Sequence, residues 1–339
     1  MTQTIRKNRW GWLRWLPGVL ISLAAIYILY RSVNWQDLGS SFEHLNLLIL
    51  LIVIPIFLIS MGFRTLEWWI IANRKDKIGN MYLALNVGYL TNNILPFRIG
   101  EIVRAMFFGR SSNTGTFYGL STVIIERVFD VGIAGLLLFI SIPKIIGAAW
   151  AQTTSYIAMG LVIAALVILF VLARNREKFK RWFERVSVKS SFLQKHVQPQ
   201  LGSLLDGLVA LTDWKIFLSS FGLLAISWAL ALLEYYIGMR IFIPGASIWW
   251  AIFSLGVLAL GVAIPSAPAN IGVFEASLVA ALSVVHIDPT RSLAFAIFIH
   301  FYHIIIQSLI GLIGVLKEGK SLQFWFSSLF PGKTGVVKE

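Results

Sequence analysis

Cysteine is absent from all 339 residues, which excludes disulfides, thiol nucleophiles and cysteine-held zinc. Charge is scarce too. Asp, Glu, Lys and Arg make up 13% of the chain, about half the ~25% of an ordinary soluble domain. Carboxylates are the scarcer part, with 16 acidic residues against 29 basic ones. The chain also lacks a P-loop, a nucleophile elbow, a His-Glu-x-x-His pair and any acidic pair at metal-binding spacing. Ser and Asp occur, but in no catalytic constellation. These residues indicate no enzyme and no cofactor.

What the chain has instead is apolar length. It is 57% hydrophobic, the composition of an all-α polytopic membrane protein. Runs of about 20 residues, long enough to span, lie near 13–30, 45–64, 118–142, 153–173, 216–241 and 291–316. In a soluble protein a net charge of +13 would raise the question of nucleic acid. Here the basic residues fall between apolar runs, with no aromatic-plus-basic pattern and no zinc-ligand spacing. They read as orienting the chain in a bilayer, and no nucleic-acid partner is expected. Arg6, Lys7 and Arg9 ahead of the apolar run to Tyr30 mimic a signal peptide. No small-residue cleavage site follows, so that run is expected to remain as a first span.

Two further apolar regions, 80–110 and 248–286, are interrupted in the middle, at Asn92–Pro96 and at "PSAPANIG", Pro265 to Gly272. Proline removes a backbone donor and clashes with the preceding turn, so neither region can be one straight helix. Each half, roughly 22–25 Å of helix, suits a hairpin that dips in and returns. Charge supports this. Arg6, Lys7, Arg9 and Arg14 place the N-terminus inside, as Arg74, Lys75 and Lys77 do the first basic loop. Segment 143–152, with only Lys144, reads as outside. The linker from Arg174 to Lys195 is strongly inside, and Lys317, Lys320, Lys333 and Lys338 place the C-terminus inside. These assignments agree only if 80–110 enters and leaves on the inner face and 248–286 on the outer face.

The two breaks also match. Pro96-x-x-Ile99-Gly100 recurs 172 positions on as Pro268-x-x-Ile271-Gly272. The same shift carries 45–64 and 118–142 onto 216–241 and 291–316. The expectation is a single integral membrane domain over 1–339 with an inverted-topology repeat: 45–142 and 216–316, six full spans and two opposed re-entrant hairpins. Between the repeats, 175–215 is basic and then amphipathic. It reads either as a helix on the inner leaflet or as a solvated loop. "LQFWFSSLF", Leu322–Phe330, is expected at the interface.

Charges inside apolar regions are the candidates for chemistry, because each costs about 2.5–3.5 kcal/mol at the bilayer centre. Arg98, Glu101 and Arg104 share one side of the returning half-helix. Glu126, Arg127 and Asp130 follow in the next span. One reading is an internal network, Arg98 with Asp130 and Arg104 with Glu101 or Glu126. The other is an anion site in which Arg98 and Arg104 hold a phosphate, helped by half-helix N-termini near Phe97 and Ile271. Asn92 and Asn93 either cap the broken backbone or touch a headgroup. In the second half, Glu275 with His300 or His303 is the candidate for proton coupling, and Gln307 shares the histidines' face. His-x-x-His here lacks an accompanying carboxylate motif, so no metal is expected. Glu234 is expected to face interface water.

"NNILPFRIGEIVRA", then "ERVFD", then "PSAPANIGVFE", in that order and spacing, resemble the lysylphosphatidylglycerol synthase transmembrane family, over about 40–320. In bifunctional members this membrane region accompanies a soluble domain that aminoacylates phosphatidylglycerol, and it is implicated in moving the product lipid between leaflets. Here the chain runs about 22 residues past the last span, so the resemblance implies the translocating part alone, in a prokaryotic plasma membrane. It carries over Arg98, Glu101, Arg104, Glu126, Arg127, Asp130 and Glu275. The expectation is a flippase for an anionic lipid, a phospholipid or polyprenyl phosphate. The alternatives are a membrane enzyme using Glu126 or Asp130 as a base, and an accessory protein of lipid synthesis.

Overall fold

The computed structural model describes residues 16–43, 45–145, 149–187 and 197–317. They are helical, with no strand among the described residues. The basic N-terminal residues before Leu16, residues 188–196 of the linker and the aromatic tail at 322–330 lie outside them.

Helix α1 (Leu16–Ser32) turns by 85° into a short lateral helix, α2 (Trp35–Glu43). Asn34 makes the turn. Its side chain accepts from the Gln36 N–H at 3.1 Å and donates to Asp37 at 2.7 Å, starting a new helix where α1 stops. After a 3-10 turn comes α3 (Leu50–Ile71), then α4 (Ile78–Ile94), α5 (Gly100–Ser111), α6 (Thr116–Ile145) and α7 (Ala149–Arg174). The linker forms α8 (Arg176–Ser187) and α9 (Gln198–Gly207). The second half holds α10 (Trp214–Phe242), α11 (Ile248–Gly261), α12 (Val273–Ser283) and α13 (Pro289–Lys317). Asp213 caps α10 and Ser247 caps α11, each accepting from backbone N–H groups of the first turn.

The chain is an all-α polytopic membrane protein. Segments Leu47–Ile71, Trp214–Phe242 and Pro289–Lys317 are long and apolar enough to cross a bilayer unaided. The bent pairs α1–α2 and α7–α8 bring that number to as many as five. Helix α6 has the length, at 30 residues, but carries Glu126, Arg127 and Asp130 in its first half.

Both interrupted regions fold back on themselves. Asp76, just before α4, accepts a hydrogen bond from Ser111 at the end of α5, so the two arms start and finish together. At the break Leu95 is extended, as the residue before proline must be, and Phe97 and Arg98 follow in the left-handed region at φ 63° and 54°. The second break repeats this 172 positions on, with Ala269 and Asn270 both at φ 55°. Left-handed non-glycine residues cost about 1–2 kcal/mol each, so a matched pair in each hairpin is a built feature. The returning arms, 12 and 11 residues, or roughly 16–18 Å, are shorter than the 22–25 Å expected of each half. The breaks are wider than proline alone requires, because two left-handed residues must reverse the chain. Gly100 lies so close to Gly88 that a Cβ there would overlap the Gly88 carbonyl oxygen, which lets α4 and α5 pack at backbone contact.

The long helices α3 and α10 pack on each other at Ser60 and Ser227, each hydroxyl donating to the other's carbonyl, at 2.9 and 3.0 Å. Helices α3 and α10 run antiparallel there. Phe42, ahead of α3, meets Phe242 at the end of α10 at 5.5 Å, while Ile71 shares an apolar cluster with Leu224 near the start of α10. Helix α13 packs on α4 of the other repeat, and α6 packs on α11 in the same exchanged manner. The hairpin tips come together at α1, where Gly18 touches both the Phe97 ring and the Ser266 carbonyl.

The linker is neither a solvated loop nor only a surface helix. Leu205, Leu208 and Leu211 are buried against α6 and α7, and Gly207 sits against Ser121 and the Tyr118 carbonyl. Its apolar residues found a partner in the first repeat instead of lipid.

Candidate functional site

Four arginines and three carboxylates converge where hairpin 1 meets α3 and α6. Glu101 takes Arg104 at 2.9 Å, Arg127 at 3.4 Å and Arg98 at 3.8 Å. Glu126 takes Arg64 at 2.7 Å, Arg104 at 2.9 Å and Arg127 at 3.3 Å. Asp130 takes Arg127 at 3.0 Å, the Arg64 guanidinium in a short contact, and the Trp228 indole N–H at 3.1 Å. Arg64 was not foreseen. It ends the apolar run 45–64 and reads from sequence as the edge of a span. Its signal is Glu67 three residues on, an i,i+3 charge pair inside greasy sequence. The expected Arg98–Asp130 pair is not made, because Arg64 and Arg127 occupy Asp130.

The arginines differ in how fully they are engaged. Arg104 is buried beneath the Trp68 ring at 5.1 Å and bridges Glu101 and Glu126. It does not line the cavity described below; its two ion pairs are those of the internal-network reading, and they pin hairpin 1 to α6. Arg98 has only the 3.8 Å approach to Glu101, and its side chain stays 28% exposed.

For Asn92 and Asn93, expected either to cap the broken backbone or to touch a headgroup, the structure shows intramolecular bonds. Asn92 Oδ1 accepts the Gly100 N–H at 2.8 Å and caps α5, while Asn93 donates to Ser308 on α13 at 3.0 Å. The next N–H groups of α5, from Glu101 and Ile102, go to the carbonyls of Arg98 and Ile99. The half-helix therefore has its first donors spent, and an anion here depends on guanidiniums instead of free N–H groups.

A cavity of about 270 Å³ lies between the hairpins. Its charged lining is Arg64, Arg98, Arg127 and Asp130, and its far wall is Leu255, Leu258 and Phe274 of hairpin 2. Val131, Leu260 and Ala263 also line it and are exposed, giving it an apolar edge open to the surroundings. A second cavity of about 170 Å³ shares Arg64, Tyr89, Trp228, Tyr235 and Leu255 with the first and continues to Glu234, His303 and Gln307.

The second repeat's charges form two separate pairs. Glu275 accepts from the Gly272 N–H at 2.7 Å, capping α12, and meets His300 Nδ1 at 2.6 Å. Gly272 takes φ +86°, which a side chain would oppose. His303 meets Glu234 at 2.5 Å instead of joining Glu275. Glu234 is buried, also taking the Tyr302 hydroxyl, and does not face interface water as expected. Helix α13 covers it, a contact that its position near a span end does not reveal.

Fold and charge together define a membrane protein with a largely apolar cavity, charged on one wall, between two broken hairpins. The family model for the lysylphosphatidylglycerol synthase TM region matches residues 15–311, and the chain belongs to that family. Among its relatives is a UPF0104 membrane protein of Methanocaldococcus jannaschii, 28% identical over 69% of this chain and 99% of that protein. Another is a UPF0104 membrane protein of Methanothermobacter thermautotrophicus, 26% identical over 75% of this chain and 79% of that protein. No solved structure matches this chain.

Proposed function

We propose that the protein moves an anionic, phosphate-bearing lipid between the leaflets of its membrane. The observation that carries this reading is the cavity lining, three guanidiniums against one carboxylate, with Arg98 barely engaged by any other group. Planar guanidiniums bind phosphate oxygens bidentately, and a cavity walled by apolar side chains strengthens that contact. The apolar edge at Val131, Leu260 and Ala263 lets acyl or prenyl tails stay in the bilayer while the headgroup sits inside. Glu101, Glu126 and Asp130 orient the arginines and exchange with the headgroup as the site opens. Alternating access is relative movement of the two repeats about the Ser60–Ser227 contact. The Glu275–His300 pair, which ties hairpin 2 to α13, is a titratable joint for that movement.

Membership of a lipid-associated membrane family supports the reading, and archaeal relatives accord with a prokaryotic plasma membrane. In this reading the basic loops keep both termini on the inner side, as the excess of Lys and Arg there favours. The test is reconstitution into liposomes with labelled phosphatidylglycerol, polyprenyl phosphate or a neutral lipid. A phosphate-bearing lipid is expected to change leaflet faster than in empty vesicles. No acceleration of either phosphate lipid overturns the proposal.

A further inference from the structure

The second cavity is lined by hydrogen-bonding groups that the fold leaves without partners. Glu234 on α10 is buried and takes both Tyr302 and His303 on one oxygen, Oε1. Its other oxygen, Oε2, has no hydrogen-bond partner among the described residues. His303 is fixed by Glu234 at Nε2 and by Phe57, stacked on its ring at 4.3 Å; its Nδ1 is unpaired. Gln307 follows one turn further along α13, and Tyr89 faces the same cavity from α4. Neither the Gln307 amide nor the Tyr89 hydroxyl bonds another group among the described residues.

Polar groups left unpaired in an apolar enclosure are costly, so each is either hydrated or kept for a ligand. Their position favours a ligand. Arg64, Tyr89, Trp228, Tyr235 and Leu255 line both cavities. A phosphate held by Arg64, Arg98 and Arg127 therefore borders the second cavity, and a group attached to that phosphate can extend into it.

The unpaired groups are chemically mixed. Glu234 Oε2 accepts, as does His303 Nδ1 when Nε2 donates to Glu234, while the Gln307 amide and the Tyr89 hydroxyl both donate and accept. A hydroxyl also does both and can satisfy every one of them. An ammonium only donates and would leave the Gln307 N–H groups unmet. The groups come from three helices, α4, α10 and α13, around one cavity whose walls include the rings of Phe57, Trp228 and Tyr235. A ring that carries hydroxyls in several directions, with C–H faces for these aromatic walls, fits better than a short chain. The 170 Å³ of space equals about five or six waters at ~30 Å³ each, room for one such ring.

We infer that the second cavity recognises a cyclic polyol, an inositol or a sugar, carried on the phosphate that the arginines hold. The lipid is then a phosphodiester. The arginines take its charge, and Tyr89, Glu234, His303 and Gln307 take its hydroxyls; no covalent bond changes. This inference rests on the proposed anion cavity and names the headgroup that it accepts.

The test compares two short-chain lipids of the same single charge, dioctanoyl phosphatidylinositol and dioctanoyl phosphatidylmethanol, by calorimetric titration of the purified protein in detergent. Native protein is expected to bind the inositol lipid at least about tenfold more tightly, the sum of a few net hydrogen bonds. Gln307→Met and Tyr89→Phe each remove one contact and should narrow that ratio by about threefold to tenfold. Equal affinity of native protein for the two lipids means that water alone satisfies these groups; the inference then falls and the anion cavity stands. An undiminished ratio in every variant that folds overturns the inference as well. Tighter binding of dioctanoyl phosphatidylethanolamine than of the inositol lipid shows an ammonium ligand and also overturns it. If native protein binds none of the three lipids, the anion cavity itself falls.

Discussion

Arg98 and Arg104 lie on the same half-helix yet face different demands. Arg104 is enclosed by two carboxylates and an indole, so Arg104→Met leaves Glu101 and Glu126 with less countercharge. Breaking one side of a buried network costs about 3–5 kcal/mol, and denaturant unfolding in detergent should show a loss of that order. Arg98 has one long approach to Glu101 and partial exposure, so Arg98→Gln should change stability by no more than about 1 kcal/mol. Comparable losses in both variants would mean that Arg98 is as structural as Arg104. At this scale sequence reasoning recognised which residue types matter and misjudged several roles. Arg64 was passed over because it ended an apolar run, and Glu234 was assigned to interface water because span position does not say which helix covers it. Both are settled by contacts between distant segments, which no local pattern encodes.

Helix by helix, the hairpins were the most legible part of the chain. Pro96 and Pro268 mark both breaks, and the left-handed pairs that follow them recur at the same spacing. The lateral helix α2 was missed because its nine residues are too short and mixed to show a clear period. The linker was read as surface-lying or solvated because its leucines had no visible partner until α6 and α7 supplied one. Hairpin 2 carries a prediction at this level. Glu275 caps α12 and bonds His300 on α13, so one carboxylate joins hairpin 2 to the last long helix. Glu275→Gln keeps the side chain's size and removes its titration. The pH profile of lipid exchange in liposomes should change; an unchanged profile would confine Glu275 to capping.

At the scale of the molecule, α3 and α10 pack antiparallel and the two hairpin tips meet beside α1, the arrangement an inverted repeat would give. Absence of cysteine makes this directly checkable. Ser111 and Ser283 end the two hairpins, and both are exposed. A membrane-impermeant maleimide should label Ser111→Cys from one side of sealed vesicles only and Ser283→Cys from the other only. Labelling of both from the same side would rule out opposed hairpins. The central claim is that the arginines between those tips hold a phosphate-bearing lipid in transit. The most direct measurement is the leaflet-exchange rate of labelled anionic lipid in liposomes holding native or Arg98→Gln protein at equal density. Loss of one charge-assisted contact of about 1.5–3 kcal/mol predicts a fall of roughly tenfold to a hundredfold. An Arg98→Gln protein that folds and exchanges lipid at the native rate would contradict the account.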